Sequence, residues 1–354
     1  MAGLISSNLE VTMATKAVPV LALVLTFVLV IAAHADPKHW KREGWGQTDF
    51  SKTSIPFDEI VSGGPPKDGI PSIDNPRFTS VSKVDDLSDV EPVIGLEIDG
   101  DARAYPLRIL IWHEIVNDVV GRTPVAITYC PLCNSAVVFD RRNTNRVLEF
   151  GATGKLRKSD LIMYDRQTNS WWQQFTGEAI IGELLGAELK VIPARLEAFK
   201  DFKARHPLGR VLVPNKPGMR RYGSNPYVGY DSASTPFLFR GQLPTEIEPM
   251  ARVVVVRRDA RDPIIVALAH LRRSGTIKRD EVQLSWRSGQ ASALDSREIA
   301  RGRDVGTVEV VSTAAETRKT PLAYDVTFAF VAHAFHPDVS IIGSSLRPAN
   351  TTTD

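Results

Sequence analysis

The alternation of apolar and polar residues on either side of Asp99-Gly100 places the strongest constraint on the fold of this chain. Asp-Gly is favoured in two-residue hairpin turns, and such alternation is typical of paired strands. Residues 124–130 and 136–141 add two strands around a tight turn, and residues 167–169 mark the turn of another hairpin. The sequence therefore predicts an α+β protein that is predominantly β.

One segment after this hairpin has features of a short helix. Pro106 suits a first helical position, and Gly121 suits the position just past a helix end. Leu107, Leu110 and Ile111 share one face at helical spacing. Because β-branched residues are frequent here, a strand is the alternative.

The N-terminus has the pattern of an export signal. Lys16 precedes the uncharged run 17–33, which ends in Ala33-His34-Ala35. A positive charge, an apolar stretch and a small-x-small site predict a signal peptide over residues 1–35. An uncleaved membrane anchor is the alternative, although a spanning helix needs about 20 apolar residues. Both place the remainder outside the cytoplasm, periplasmic or secreted, and the membrane is a partner only if the signal segment is retained.

Composition and charge narrow the classes of function. Hydrophobic residues make up 43% and charged residues 24% of the 354 residues, which is ordinary for a globular protein. The 43 Lys and Arg against 41 Asp and Glu leave a net charge of +2, which gives no general reason to expect nucleic-acid binding. We expect no nucleic-acid partner, and a small-molecule or redox partner must be recognised by a local site.

The chain also shows a sparse internal repeat. At one constant offset, His113 falls on His270 and Ser135-Ala136 on Ser292-Ala293. The sequence therefore predicts a signal peptide, an irregular N-terminal arm, a first repeat and a degenerate second repeat, over residues 1–35, 36–90, 91–245 and 246–354. Because Cys130 aligns with Arg287 and Cys133 with Gln290, the first repeat keeps the chemistry and the second is a structural partner.

The sharpest motif is Cys130-Pro131-Leu132-Cys133. Two thiolates on one tight turn can bind copper, zinc or iron, with further ligands needed for a tetrahedral site. His113 is the best candidate for the third ligand, because it lies across one turn from the strand that carries Cys130. Such a centre would leave an open coordination position.

Two alternatives to the metal centre remain open. In one, Cys130 and Cys133 form a redox pair of a thiol–disulfide oxidoreductase, as their spacing allows. In the other, they form a structural disulfide of a non-enzymatic binding module, whose contact surface would be the hairpin at Trp171-Trp172. With a disulfide in place of the metal, no cofactor is needed.

Several further side chains are candidates for the site. His113 and Glu114 are candidate catalytic residues, with Glu114 as an acid–base group or a group that orients a metal ligand. Polar and aromatic residues of the first repeat that could line a pocket are Asp160, Tyr164, Trp171, Trp172 and His206.

Long motifs carry a family resemblance. The segments DGDARAYPLRILIWHEIVND, TYCPLCNSAVVFDR, GATGKLRKSDLIMYDRQTNSWWQQFTGEAI and FKARHP resemble the domain of unknown function 3179 family, over about residues 45–345. Members of this family are often exported. The resemblance implies no reaction; it implies that the family's paired cysteines fall on Cys130 and Cys133, and its histidine-glutamate segment on His113 and Glu114.

Overall fold

The computed structural model describes residues 36–258, 261–315 and 319–344. The predicted signal peptide over residues 1–35 lies outside the described residues. Within them, no helix has the length and apolar character needed to cross a membrane. The described chain is predominantly β and forms five small sheets in a propeller-like ring, which confirms the predicted predominance of β structure.

The regular elements are short and are numbered in chain order. The helices are α1 Pro37–Trp40, α2 Leu107–His113, α3 Phe199–Arg205, α4 Leu268–Ser274 and α5 Ala329–Phe335. The strands are β1 Ile60–Ser62, β2 Arg77–Ser80, β3 Pro92–Ile98, β4 Asp101–Pro106, β5 Ile115–Val120, β6 Thr123–Cys130, β7 Ser135–Asp140, β8 Arg142–Asn143, β9 Arg146–Val147, β10 Phe150–Arg157, β11 Asp160–Asp165, β12 Trp171–Gln173, β13 Ala179–Ile181, β14 Arg195–Ala198, β15 Arg210–Val213, β16 Arg252–Val256, β17 Ile264–Ala267, β18 Thr276–Arg279, β19 Val282–Arg287, β20 Thr307–Ser312, β21 Thr320–Pro321, β22 Tyr324–Phe328 and β23 Ile341–Ile342.

The first hairpin follows the sequence pattern. Strands β3 and β4 pair antiparallel, and Asp99 and Gly100 turn between them with φ of 51° and 81°. The following helix is shorter than Pro106 and Gly121 suggested. It ends at His113, because Glu114 takes a φ of 58° and the β-branched residues after it form β5.

Two sheets have the same connectivity. One has the strand order β14-β3-β4-β15-β2, and the other has the order β22-β16-β17-β23. In each, an antiparallel hairpin leads into a seven-residue helix, and the last strand joins the hairpin in parallel.

Three further sheets complete the ring. Strands β5-β6-β7 form a three-stranded sheet, and strands β18-β19-β20-β21 form a four-stranded sheet. The fifth sheet, β1-β10-β11-β12-β13, is inserted between β7 and β14 and takes its edge strand β1 from the N-terminal arm.

Most of the buried apolar side chains form one core that includes residues from both halves of the chain. A smaller aromatic cluster joins Trp40, Trp45 and Phe50 of the arm to Trp171 of the inserted sheet. Because large aromatic side chains bury much apolar area, this cluster fixes the arm on the sheet. The arm therefore contributes to the packing, although its secondary structure is mostly irregular.

Candidate active site

The cysteine motif forms the turn between β6 and β7. Cys130 is the last residue of β6 and pairs with Ser135, the first residue of β7. Asn134 takes the left-handed conformation that closes the turn, with a φ of 51°. Both cysteines are buried free thiols, and the two residues approach to 3.6 Å.

Strand β22, from the other half of the chain, holds this turn in place. Asn134 Nδ2 donates to the carbonyl of Val326 at 2.7 Å, and Thr327 Oγ1 donates to the carbonyl of Cys133 at 2.7 Å. Ser135 donates to the carboxylate of Asp325. These buried hydrogen bonds fix the direction in which the two thiols point.

A second turn, between β10 and β11, faces the thiols. Lys158 and Ser159 both have positive φ, 54° and 64°, and Asp160 follows as the first residue of β11. The carbonyl of Ser159 accepts from Cys133 Sγ at 3.4 Å and, more weakly, from Cys130 Sγ at 3.8 Å. The turn therefore brings Asp160 to the cysteines.

Asp160 is only half satisfied. Its Oδ2 accepts from Gln173 Nε2 at 2.6 Å and from the backbone N–H of Phe175 at 2.8 Å. Its Oδ1 is buried and has no hydrogen-bond partner among the described residues. Since buried polar atoms are normally paired, an unpaired carboxylate oxygen beside two thiols indicates a missing donor or cation.

Cys130, Cys133 and Asp160 together have the geometry of a metal site. Their ligand atoms all lie within 4.8 Å of one another, and all three residues are buried. Two sulfurs and one carboxylate oxygen are suitable ligands for a borderline-soft ion.

Burial raises the pKa of each acid in and beside this group. Burial, together with the nearby Asp160 carboxyl, raises the pKa of Glu114 to about 8. Burial raises the pKa of Asp160 to about 6 and also raises the pKa of both thiols. A bound cation would reverse this effect, because it favours the charged form of every acid around it.

Two tyrosines from the segment between β15 and β16 cover the turn. Tyr230 Oη donates to the carbonyl of Leu132 at 3.1 Å and accepts from the N–H of Phe237 at 3.2 Å. Ser159 Oγ donates to the carbonyl of Phe237 at 2.6 Å. Burial, with the nearby Glu114 and Cys130, raises the pKa of Tyr227. No local sequence signal marks these residues, because they reach the site only through the tertiary fold.

The structure does not bring His113 into the sulfur group, contrary to its predicted role as a third ligand. Its Nδ1 lies 2.8 Å from the carbonyl of Pro71, and its Nε2 lies 2.8 Å from Tyr222 Oη. Both ring nitrogens are thus occupied, because the helix end points His113 away from the strand that carries Cys130. Asp160, and not His113, lies beside the two sulfurs, whereas Glu114 acts electrostatically on the group.

The other predicted pocket residues lie elsewhere. Trp171 and Trp172 are both fully buried, so they form no contact surface. Tyr164 packs on Trp45 and donates to Asp68, and His206 contacts Arg205 and Phe202 at the end of α3. Adjacent strand residues face opposite sides, but here both sides are covered, one by the arm and one by the main core.

The family comparison agrees with the sequence motifs. A family model described as "Protein of unknown function (DUF3179)" matches residues 67–339, which include both cysteines, Glu114 and Asp160. No curated protein matches the chain. No solved structure matches it either. Because the family model covers most of the sequence, the chain belongs to the DUF3179 family.

Proposed function

We propose that this protein binds one transition-metal ion on Cys130, Cys133 and Asp160. The observation that carries the proposal is the convergence of two free thiols with a buried carboxylate whose Oδ1 has no partner. No Lys, Arg or His belongs to the group among the described residues, although the charge of Arg257 acts on Asp160 from outside it. A divalent cation adds positive charge within the group and ligates the unpaired oxygen.

The donor set favours zinc or iron over copper. Thiolates alone suit Cu⁺, whereas a carboxylate is a harder ligand that suits Zn²⁺ and Fe²⁺. Three protein ligands leave a position for water or a substrate. Glu114, with its pKa raised to about 8, lies near Asp160 and Cys130 and is suited to hold or release a proton near neutral pH.

A thiol–disulfide oxidoreductase is the second candidate. The 3.6 Å approach of the two cysteines favours it, because only a small movement joins them. The raised pKa of both thiols speaks against it, since the thiolate is the reactive species in exchange. The metal centre explains the unpaired carboxylate oxygen as well, and we therefore rank it first.

Metal content and Co²⁺ binding test the proposal on the full chain. Protein purified without chelators is expected to carry close to one zinc or iron per chain, and Co²⁺ added to metal-free protein should give sulfur-to-cobalt charge-transfer absorption. Cys133→Ser and Asp160→Asn should each weaken metal affinity at least about 100-fold, an effect of roughly 3 kcal/mol.

Asp231→Asn is the matched control. Asp231 is also a buried carboxylate with an Oδ1 that is unpaired within the described chain, but its Oδ2 pairs with Arg252 and Ser292 and it lies outside the sulfur group, so its loss should lower stability and leave metal binding unchanged. Absence of metal together with absence of Co²⁺ uptake overturns the proposal. Reversible oxidation of Cys130 and Cys133 in such a metal-free protein, seen by thiol labelling and mass spectrometry, would support the oxidoreductase instead.

We further propose that the second half is a degenerate copy that serves as a structural partner. The matched connectivity of the two sheets supports the duplication. The hydrogen bonds from Asn134 and Thr327 between the cysteine turn and β22 support the structural role. Truncating Thr327 to alanine should loosen the turn and weaken Co²⁺ binding without removing any ligand, which Co²⁺ titration measures; unchanged affinity would contradict this role.

A further inference from the structure

A separate cavity of about 590 Å³ lies between α2, β15 and the segment that follows β15. Its volume falls in the range of small-molecule sites. Ile109, Val211 and Leu212 contribute apolar surface, and Tyr222 closes one side. Four arginines also line it, namely Arg77, Arg108, Arg220 and Arg221.

Most of the positive charge in this arginine cavity is uncompensated. Arg108 is paired, with Glu91 at 2.8 Å and with Asp86 at 3.2 Å. Within the described part of the chain, Arg77, Arg220 and Arg221 have no acidic partner, and Asp86 is the one acidic side chain that lines the cavity. Three arginines without a carboxylate partner therefore line a space large enough for a ligand, and two of them, Arg77 and Arg221, are exposed.

Of the three, Arg220 gives the clearest indication of a missing anionic partner. It is half-buried, and the side-chain contact it makes is a long one, 3.5 Å from Nη1 to the carbonyl of Met219. A partly desolvated guanidinium is normally paired, because its loss of hydration has to be compensated. Arg220 stands near Tyr222, which His113 holds through a 2.8 Å hydrogen bond and ring stacking.

We propose that the arginine cavity binds a small organic phosphate monoester. A phosphate dianion matches the charge of Arg77, Arg220 and Arg221, and its oxygens accept the paired N–H groups of guanidinium. The apolar surface from Ile109 to Leu212, with the Tyr222 ring, accommodates the organic part. This site shares no residue with the sulfur site, so the test of phosphate binding does not depend on the proposed metal.

Calorimetric titration of the full-length protein with phenyl phosphate tests the proposal. We expect saturable binding that weakens with added salt, as charge pairing requires. Inorganic phosphate, which lacks the apolar part, should bind at least about fivefold more weakly. Arg220→Gln should weaken phenyl phosphate binding at least about tenfold, a change of roughly 1.4 kcal/mol.

Arg301→Gln is the control for loss of charge. Arg301 is 77% exposed and outside the cavity, so phenyl phosphate affinity should stay within about twofold of wild type. Circular dichroism verifies that both variants are folded. Lack of binding to wild type, equal binding of inorganic phosphate, undiminished binding by Arg220→Gln, or binding of succinate alone would each overturn the proposal.

Discussion

Two sheets of the molecule, β14-β3-β4-β15 and β22-β16-β17-β23, have the same connectivity but differ in the residues and turns that follow their hairpins. Each hairpin is followed by a seven-residue helix. The residue directly after each helix has a positive φ, 58° at Glu114 and 69° at Gly275. Both residues offer their carbonyl to the next sheet, to Tyr129 and to Trp286. The scaffold thus positions the same backbone in both halves, and only the first half places an acid there.

The turns that follow are different. Cys130 pairs directly across a tight turn with Ser135, whereas Arg287, at the same position of its strand, pairs with Thr307 across the long loop 288–306. A constant offset therefore holds at Cys130 and Arg287 but fails beyond them, and Gln290 is not the counterpart of Cys133. The second sheet forms without thiols, so this arrangement of strands does not require cysteines.

The inserted sheet is the other difference. Between β7 and β14 the chain adds β8 to β13, whereas among the described residues between β20 and β22 it adds only β21. The inserted sheet carries Asp160 to the cysteine turn. The candidate site is therefore a tight turn completed by an insertion, and the described residues of the second half form neither.

The largest effect we expect is on the packing of the inserted sheet. Trp172 is fully buried, packs on Phe150 and donates from Nε1 to Asp165 at 2.9 Å. Trp172→Ala should lower the free energy of unfolding by about 3–5 kcal/mol, as for other large buried side chains. Urea unfolding of the metal-free protein measures the change.

Trp286→Ala is the matched variant in the second half. Trp286 is only half-buried, although its Nε1 also donates, to Val305 at 3.0 Å. Its loss should cost about half as much, because less apolar area returns to water. Equal losses from the two variants would show that the inserted sheet is no more firmly packed than the second half.

A second effect, on the pH dependence of stability, separates Glu114 from Gly275. The pKa of Glu114 is raised from 4.5 to about 8, so the folded protein keeps a proton that the unfolded chain loses. The stability of the metal-free protein should then fall as pH rises from about 4.5 to 8, by about 1.4 kcal/mol per pH unit from this group. The loss is complete above the folded pKa.

Glu114→Gln removes this dependence, because glutamine does not titrate. Urea titrations at pH 5, 6.5 and 8 give the unfolding free energy of both proteins. The unfolding free energy of wild type should fall relative to that of Glu114→Gln as pH rises. A difference that stays constant over this range would mean that Glu114 is already ionised, and would remove it from the group of protonated acids.

Local patterns explain what the sequence could predict. The Asp99-Gly100 hairpin and the tight turn at Pro131-Leu132 are set by neighbouring residues, so both are confirmed. The helix end at His113 was missed, because it depends on Glu114 taking a left-handed conformation that its residue type does not favour. The strand alternative for the residues after it was correct.

Tertiary placement explains the rest. Asp160 was a candidate pocket residue, but only the meeting of the β6–β7 and β10–β11 turns shows that it belongs with the sulfurs rather than His113. Tyr230 reaches the cysteine turn from a segment without regular periodicity, and Trp171 is covered by an arm distant in sequence. Such contacts leave no trace in local spacing.

The smallest effect we expect tests the second half alone. Asp304 Oδ1 accepts from the backbone N–H groups of Gly289, Gln290 and Gly306, at 2.9, 3.2 and 2.9 Å. Asp304→Asn keeps the shape but replaces a charged acceptor with a neutral one, so it should lower the unfolding free energy by only about 1 kcal/mol. Urea unfolding measures this change, and Co²⁺ titration should give wild-type affinity.

Asp160→Asn should do the reverse in the first half, weakening Co²⁺ binding strongly while changing metal-free stability little, because its Oδ1 has no partner to lose. One carboxylate would then organise a loop, and the other would bind a ligand. If Asp304→Asn weakened Co²⁺ binding as much as Asp160→Asn does, the two halves would share the metal function, and the division between a chemical half and a structural half would be wrong.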